Sequence, residues 1–370
     1  MRLTLAIALL ALIPASAPAQ PEAAAVQPAG TLTWEIAPSG TPGRVQLEIM
    51  RRSGNSQWIN GHTVDLSTLD GLSADQLGGS GPVRFRIARD AGTLACEGAA
   101  HRGRATGTCS FAADARFAAT LADRGMGRPS VDEQFSMTLS NIGYAYLDEL
   151  QRQRYAGTTA TDLARAGEHG VTLAYLQGMG GHNYRVGQLT ALIRMRDHGV
   201  TPDYVEALAR HDVRDIPPLE IVRLRDHGIT ADYVGELRQL GYLRLGTDEM
   251  IQLRDHGVTA AYVRTLAENG VRDIPAAELT RMRDHGVMPD LIVALRAAGY
   301  RFGTEEIVRM RDVGVDSAYV RNLHALGYAD IGAEQFVRLR SVGVTPDFIR
   351  QANGGGRRSP EELVRMRTGG

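Results

Sequence analysis

Apolar and polar residues alternate with a period of two from about residue 31 to residue 112. The alternation is clearest in "TLTWEIA", "VQLEIMRR", "VRFRIARD", "TLACEGAA" and "ATGTCSFA", which are separated by Gly, Pro, Ser and Asp. Between them, "STLDGLSADQL" predicts a short helical turn. The pattern therefore predicts a small antiparallel β domain over 31–112, a sandwich or a meander, in which Trp34 and Trp58 are packing residues.

An internal repeat of 29 residues, once of 28, runs through the remainder of the chain, 113–370. It is marked by glycines at equal spacing and, one repeat earlier, by an asparagine. These aligned positions are Asn141, Gly170, Gly199, Gly228, Gly257, Gly286, Gly314 and Gly343. Five residues after each of them comes a large apolar or aromatic residue, in most repeats Tyr. A register that holds through eight copies predicts a repeat architecture.

Each repeat has the pattern of a helical hairpin, as in 219–241, "LEIVRLRDHGITADYVGELRQLG". Gly228 is expected to end the first helix in the left-handed conformation, which Asn also tolerates, so all eight aligned positions are predicted helix caps. Thr230 is expected to cap the second helix, whose buried side carries Tyr233 and Val234. Helices of about ten residues bury too little surface alone, so the copies must stack on each other.

The predicted fold class is therefore α+β and multidomain. A small antiparallel β domain is followed by an α-solenoid of about eight hairpins over 113–370, closed by the half-repeat "SPEELVRMRTGG".

The N-terminus has the composition of a secretory signal peptide. A basic Arg2 precedes an apolar run, and Ala17 to Ala19 form a small-residue cleavage site, which predicts a signal peptide over 1–19. Residues 20–30 read as a flexible Ala/Pro linker. The mature protein is predicted to be exported, into a bacterial periplasm or beyond. No later segment reaches the roughly 20 apolar residues that a membrane span needs.

The two cysteines, Cys96 and Cys109, lie on either side of a predicted hairpin turn at Arg102 and Gly103. Counting outward from that turn places residue 96 opposite residue 109, as a non-hydrogen-bonded pair whose Cα atoms are about 4.5 Å apart. That separation suits a disulfide. A redox-active or metal-binding pair is the alternative, but the spacing is not that of a CxxC motif.

Charge and missing motifs exclude several functions. The formal net charge is −1, so no overall field attracts nucleic acid or a membrane surface. A helix-turn-helix resemblance is opposed by the same charge and by the apolar second helix. The chain has no lysine and none of the motifs HExxH, GxSxG or CxxC. We therefore predict a protein that is not an enzyme and that needs no cofactor.

The segment Arg-Asp-His-Gly occurs four times, and counting the related segment at 167–170 there is a histidine just before the cap glycine in five repeats. These are His169, His198, His227, His256 and His285. Equivalent positions on stacked helices lie about 8–10 Å apart, too far to share a metal ion without unusual twist. The imidazoles are therefore expected to serve the C-terminal ends of their helices, with metal or proton chemistry as the alternative.

Arginines repeat at two positions of the first helix, three and five residues before the glycine. The predicted candidates for a partner-binding or anion-binding face are Arg194, Arg196, Arg223, Arg225, Arg254, Arg281, Arg283, Arg309 and Arg311. One hypothesis is a solvated face with Arg–Asp ladders between repeats. The other is a stripe of guanidinium groups that grips carboxylate or phosphate.

A β segment with "GPVRFRIARDAGTLACEGAAHRGRATGTCSF", followed by tandem "LIRMRDHGVTPDYVEAL" units, resembles a class of bacterial envelope proteins. Similar regions form the extracytoplasmic tails of antirepressor metalloproteases of the beta-lactam-sensor type. The protease's HExxH motif is absent here, so no catalytic residue carries over.

The resemblance implies a sensor-like or scaffold module. The repeat array and the absence of catalytic motifs lead to the hypothesis of a non-enzymatic interaction module that binds an envelope protein or peptide. An Arg-lined sensor of an anionic envelope ligand, and an enzyme with a site at the domain junction, are the alternatives.

Overall fold

The computed structural model describes residues 31–53 and 56–369, without the side chains of residues 53–58. The predicted signal peptide 1–19, the linker 20–30 and the packing role of Trp58 lie outside what is described. The predicted fold class is confirmed, because an antiparallel sheet is followed by helical repeats.

Six antiparallel strands form one sheet with the order β3-β2-β1-β6-β5-β4. Their bounds are Thr31–Pro38 (β1), Arg44–Ser53 (β2), Ser56–Asp65 (β3), Ser80–Arg89 (β4), Gly92–His101 (β5) and Arg104–Ala113 (β6). Two three-stranded meanders are joined through the pairing of β1 with β6. The sequence pattern indicated five of these strands and missed β3, whose "NGHT" stretch breaks the apolar alternation.

The core of the sheet lies on one face, to which alternate residues of each strand contribute. Trp34 on β1 is 1% exposed, and its ring meets that of Phe85 on β4 edge-on at 4.9 Å between centroids. Its indole N–H donates to the carbonyl oxygens of Glu97 (3.3 Å) and Thr108 (3.2 Å). Trp34 is therefore a packing residue whose polar atom is satisfied by the neighbouring strands.

Nineteen helices and two short 3-10 turns accompany the strands in the described residues, and most helices are nine residues long. The 3-10 turns are Leu66–Thr68 and Asn353–Gly355. The helices are α1 (Ala74–Gly78), α2 (Ala115–Asp123), α3 (Val131–Leu139), α4 (Tyr144–Arg152), α5 (Ala160–Glu168), α6 (Leu173–Gly181), α7 (Leu189–Asp197), α8 (Pro202–Arg210), α9 (Pro218–Asp226), α10 (Ala231–Gln239), α11 (Thr247–Asp255), α12 (Ala260–Glu268), α13 (Ala276–Asp284), α14 (Pro289–Ala297), α15 (Thr304–Asp312), α16 (Ser317–Ala325), α17 (Ala333–Ser341), α18 (Pro346–Ala352) and α19 (Pro360–Thr368).

The chain divides into two compact units, Met1–Tyr144 and Ala145–Gly370. The first unit holds the sheet and also α1 to α3. Helix α3 contacts β5 and β6, and Phe135 joins the core of the sheet against Phe111. The side-chain amide of Gln134 donates to the carbonyl of Ala91 at 2.9 Å. The change of sequence period near residue 113 thus precedes the division by contacts at residue 144.

The second unit is a two-layer stack of helical hairpins. Odd-numbered helices from α5 to α19 form one layer and even-numbered helices from α6 to α18 the other, and each contacts the next member of its own layer. We call them the first helices and the second helices of the repeats. Because side chains of both layers meet between them, each repeat buries its apolar residues against its neighbours.

Candidate functional site: the contacts between repeats

The glycine of each repeat ends its first helix. Gly228 has φ +67°, its N–H donates to the carbonyl of Arg225 (3.0 Å), and the next N–H, of Ile229, donates to that of Leu224 (2.9 Å). These two bonds define a Schellman cap with glycine at C′. The remaining aligned residues also have positive φ, between +56° and +86°: Asn141, Gly170, Gly199, Gly257, Gly286, Gly314 and Gly343.

A threonine two residues later starts the second helix. The hydroxyl of Thr230 accepts a hydrogen bond from the N–H of Tyr233 at 3.1 Å, and Thr172, Thr201, Thr259 and Thr345 do the same in their repeats. Asp316 takes this role before α16. Glycine and threonine together set the sharp reversal between the two helices.

The histidines connect each repeat to the next through an aspartate. Nδ1 of the imidazole lies within hydrogen-bond distance of Oδ1 of the aspartate in the following repeat. The pairs are His169–Asp197 (2.7 Å), His198–Asp226 (2.7 Å), His227–Asp255 (2.9 Å), His256–Asp284 (2.6 Å) and His285–Asp312 (2.6 Å). The imidazoles do lie at the C-terminal ends of the first helices. Their rings, however, bond to the neighbouring repeat and not to their own helix.

The arginine three residues before the glycine packs on the tyrosine of the preceding repeat. The guanidinium carbon of Arg225 lies 5.0 Å from the ring centroid of Tyr204, and its Nε donates to the carbonyl of Gly199 at 3.1 Å. The same stacking joins Arg196 to Tyr175, Arg254 to Tyr233, Arg283 to Tyr262, Arg340 to Tyr319 and Arg367 to Phe348. In the repeat where Leu291 replaces the tyrosine, Arg311 still donates to the carbonyl of Gly286 (2.9 Å). This arginine series therefore holds repeats together.

The same tyrosines bond forward to the following repeat. The hydroxyl of Tyr204 donates to the carbonyl of Ile229 at 2.8 Å. Equivalent bonds run from Tyr175 to Val200, Tyr233 to Val258, Tyr262 to Val287 and Tyr319 to Val344. Burial of the phenol raises the pKa of Tyr204, Tyr233, Tyr262 and Tyr319 to about 12, although the nearby arginine acts in the opposite sense.

A second tyrosine series, which the sequence analysis missed, bridges the loops between repeats. The hydroxyl of Tyr242 donates to the carbonyl of Ile274 (2.7 Å), and that of Tyr328 to the carbonyl of Arg358 (2.8 Å). The signal is present in the sequence, because tyrosine recurs 14 residues after the cap residue at Tyr155, Tyr184, Tyr242, Tyr300 and Tyr328. Interruption by Val213 and Val271 obscured it.

The arginine five residues before the glycine has a different environment. Arg223 pairs with Glu220 (2.8 Å) in its own helix and with Asp248 (2.7 Å) in the next repeat. Arg281 pairs with Glu278, and Arg309 with Glu334 of the next repeat. Arg194 makes no ion pair within the described part of the chain. The predicted arginine face thus separates into one series on tyrosine rings and another among carboxylates.

The cysteines form the predicted disulfide in the first unit. Cys96 of β5 is directly opposite Cys109 of β6, with Cα atoms 4.1 Å apart, and the two strands are joined by Arg102 and Gly103, both with positive φ. Beside the disulfide is an open cavity of about 570 Å³. Its polar lining includes Arg84, Arg86, Asp70, Glu97, Thr108 and Ser110. Both charge signs line it, so it favours neither an anion nor a cation.

Among the residues that the structure describes, no three His, Cys, Asp or Glu side chains are grouped closely enough to hold a metal ion. None of the helices described is long and apolar enough to cross a membrane. The chain matches no protein-family model, and a search of curated proteins found no match.

Proposed function

We propose that this protein is a non-enzymatic interaction or scaffold module of the bacterial envelope, in which the stacked repeats present a surface to another protein. One observation carries the proposal: the residues that recur in most repeats bond to neighbouring repeats, whereas the position seven residues after the cap glycine changes from repeat to repeat and is exposed in most of them. Repeat proteins that act by binding have this division of labour.

The exposed side of the second helices is the proposed binding surface. We call it the second-helix face and define it by the exposed residue seven positions after the cap glycine. In chain order these residues are Gln177, Glu206, Arg264, Val293, Arg321 and Arg350. Gly235, at the same position in the repeat of Gly228, is buried and is not part of the face. The residues of the face change in charge and polarity from one repeat to the next, while the neighbouring Tyr and Val positions stay apolar and buried. Exposed residues that differ between repeats, held by buried positions that stay the same, suit recognition of one particular partner.

The proposed location is the periplasm or the cell exterior. It is supported by the apolar N-terminal sequence with its small-residue cleavage site and by the disulfide, since disulfides persist in oxidising compartments. The resemblance to extracytoplasmic tails of sensor-type antirepressors supports the same placement.

Co-purification from envelope extract, with chemical crosslinking, tests the proposal. The wild-type protein should retain a specific partner, and a variant with the face reversed in charge (R264E, R321E, R350E) should lose it. The matched control carries as many reversals on first helices (R194E, R309E, R365E) and should keep the partner.

Two results would contradict the proposal. One is the absence of any specific partner even after crosslinking. The other is equal loss of the partner in both variants, which would show that binding does not use the second-helix face.

The anion-binding alternative is not proposed, because most of the arginines that suggested it already have partners. Arg225 and Arg311 donate to glycine carbonyls, and Arg223 has two carboxylates. A bound anion would have to replace these contacts.

A further inference from the structure

The two edge strands of the sheet differ in how they are protected. On β4, Arg86 exchanges backbone hydrogen bonds with Asp70 (2.8 and 3.0 Å). Four residues earlier on the same strand, Pro82 has no N–H to offer to another strand. Edge strands shielded in this way resist pairing with another chain. β3, at the other end of the sheet, has a neighbour only on its β2 side within the described residues.

The free backbone groups of β3 can be assigned. The N–H of Leu66 donates to the carbonyl of Gly43 at 2.9 Å, and bonds between antiparallel strands recur at every second residue. Asn60, His62 and Val64 therefore direct their backbone groups toward β2. Ile59, Gly61 and Thr63 direct theirs away from the sheet. Of these, the carbonyl of Thr63 accepts a bond from Arg44, an exposed side chain that another donor could replace.

Side chains on β3 also lack partners. Ile59 is 56% exposed, one of the most exposed large apolar residues described. On the opposite face of the strand, Oδ1 of Asn60 is buried without a hydrogen-bond partner in the described structure. A buried amide oxygen without a partner is destabilising, so a group that supplies a donor there stabilises the fold.

We infer that β3 pairs with β3 of a second copy of this chain, antiparallel about a two-fold axis at Gly61, so that two sheets join into one. In this register Gly61 faces Gly61, and Ile59 faces Thr63 of the other copy. Asn60 then faces His62 of the other copy on the same side of the strand.

This register meets each requirement of the strand. Gly61 and the Ile59–Thr63 pairs exchange about six backbone hydrogen bonds, because those residues direct their groups outward. Ile59 gains a β-branched neighbour. The imidazole N–H of His62 can donate to the amide oxygen of Asn60, which has no partner within one copy. A glycine on the axis adds no side chain between the two copies.

Sedimentation equilibrium of the purified full chain tests the inference. The wild-type protein should have twice the monomer mass at micromolar concentration. I59K should be a monomer, since lysine on an edge strand opposes pairing. L219K is the control, because Leu219 is 55% exposed, matching Ile59, but lies on a repeat helix, so it should remain a dimer.

Cysteine crosslinking tests the register. A mixture of I59C and T63C should form a disulfide between copies, since facing residues are about 5.5 Å apart at Cα. I59C alone should not, because residue 59 lies four positions from its own counterpart, about 13 Å along the strand.

A wild-type protein that stays monomeric up to about 100 µM, and therefore has a Kd for dimerisation weaker than that concentration, would overturn the inference. So would a dimer that persists in I59K, or crosslinking of I59C alone that equals crosslinking of the mixture.

Discussion

Nδ1 of His198 lies 2.7 Å from Oδ1 of Asp226, which occupies the equivalent helix of the next repeat. Both side chains are about two-fifths exposed (37% and 42%), so solvent screens the pair. The same pair occurs four more times along the array. The pair therefore contributes little to the free energy of unfolding at each contact between repeats, and it adds to the tyrosine and arginine contacts beside it.

A double-mutant cycle on H198A and D226A measures this contact. We expect a coupling of about 0.5 kcal/mol in the free energy of unfolding, typical of exposed pairs. Denaturant unfolding of the two single variants and the double variant gives the value. Coupling above about 2 kcal/mol would contradict the screened geometry.

The buried tyrosine hydroxyls should contribute more. Y204F removes the bond to the carbonyl of Ile229 and should lower the free energy of unfolding by about 1 kcal/mol. Y146F is the matched control, because Tyr146 is as deeply buried but its hydroxyl has no partner in the described structure. That variant should be neutral or stabilised. Equal losses in both variants would show that the hydroxyl bonds contribute nothing.

Alkali should unfold the array by ionising these phenols. Burial raises the pKa of Tyr204, Tyr233, Tyr262 and Tyr319 to about 12, above the ordinary value of 10.0. The unfolded chain then loses protons first as the pH rises. The stability that these groups contribute is complete below pH 10 and is lost as the pH approaches about 12.

A variant with all four changed to Phe should be less stable at neutral pH, yet its stability should fall less between pH 9 and pH 12. Thermal unfolding followed by circular dichroism across that range would measure the difference. An identical pH dependence in the two proteins would contradict the assignment.

The left-handed glycine of the repeat should not accept a side chain. G228A places a Cβ on a residue with φ +67°, which costs about 1–2 kcal/mol. G181A is the control, because Gly181 ends α6 without positive φ and nothing lies within 4 Å of an added Cβ. It should be neutral or slightly stabilising. Denaturant midpoints of the two variants should therefore move apart.

The local features of the repeat could be predicted from the sequence. Gly228 and Thr230 act on backbone groups within a few residues, so their roles follow from spacing and residue type alone. The Cys96–Cys109 disulfide was predictable for the same reason, because a two-residue turn determines which residues of the hairpin face each other.

The partners of the repeated polar residues could not be predicted. Asp226 was expected to pair with arginine and instead bonds to His198, while Arg225 lies on Tyr204. Which residues pair depends on how one repeat is placed against the next. His198 and Asp226, for example, are 28 residues apart in the chain, and the sequence of a single repeat does not show that they meet. The strand β3 was missed because its interior polar residues, Asn60 and His62, are acceptable only at the edge of a sheet.

The end of the first helix and the start of the second helix in a repeat can therefore be predicted from residue type and spacing, since capping is a matter of adjacent backbone groups. Which charged and aromatic groups meet depends on the stacked fold, because stacking brings together side chains that are far apart in the chain.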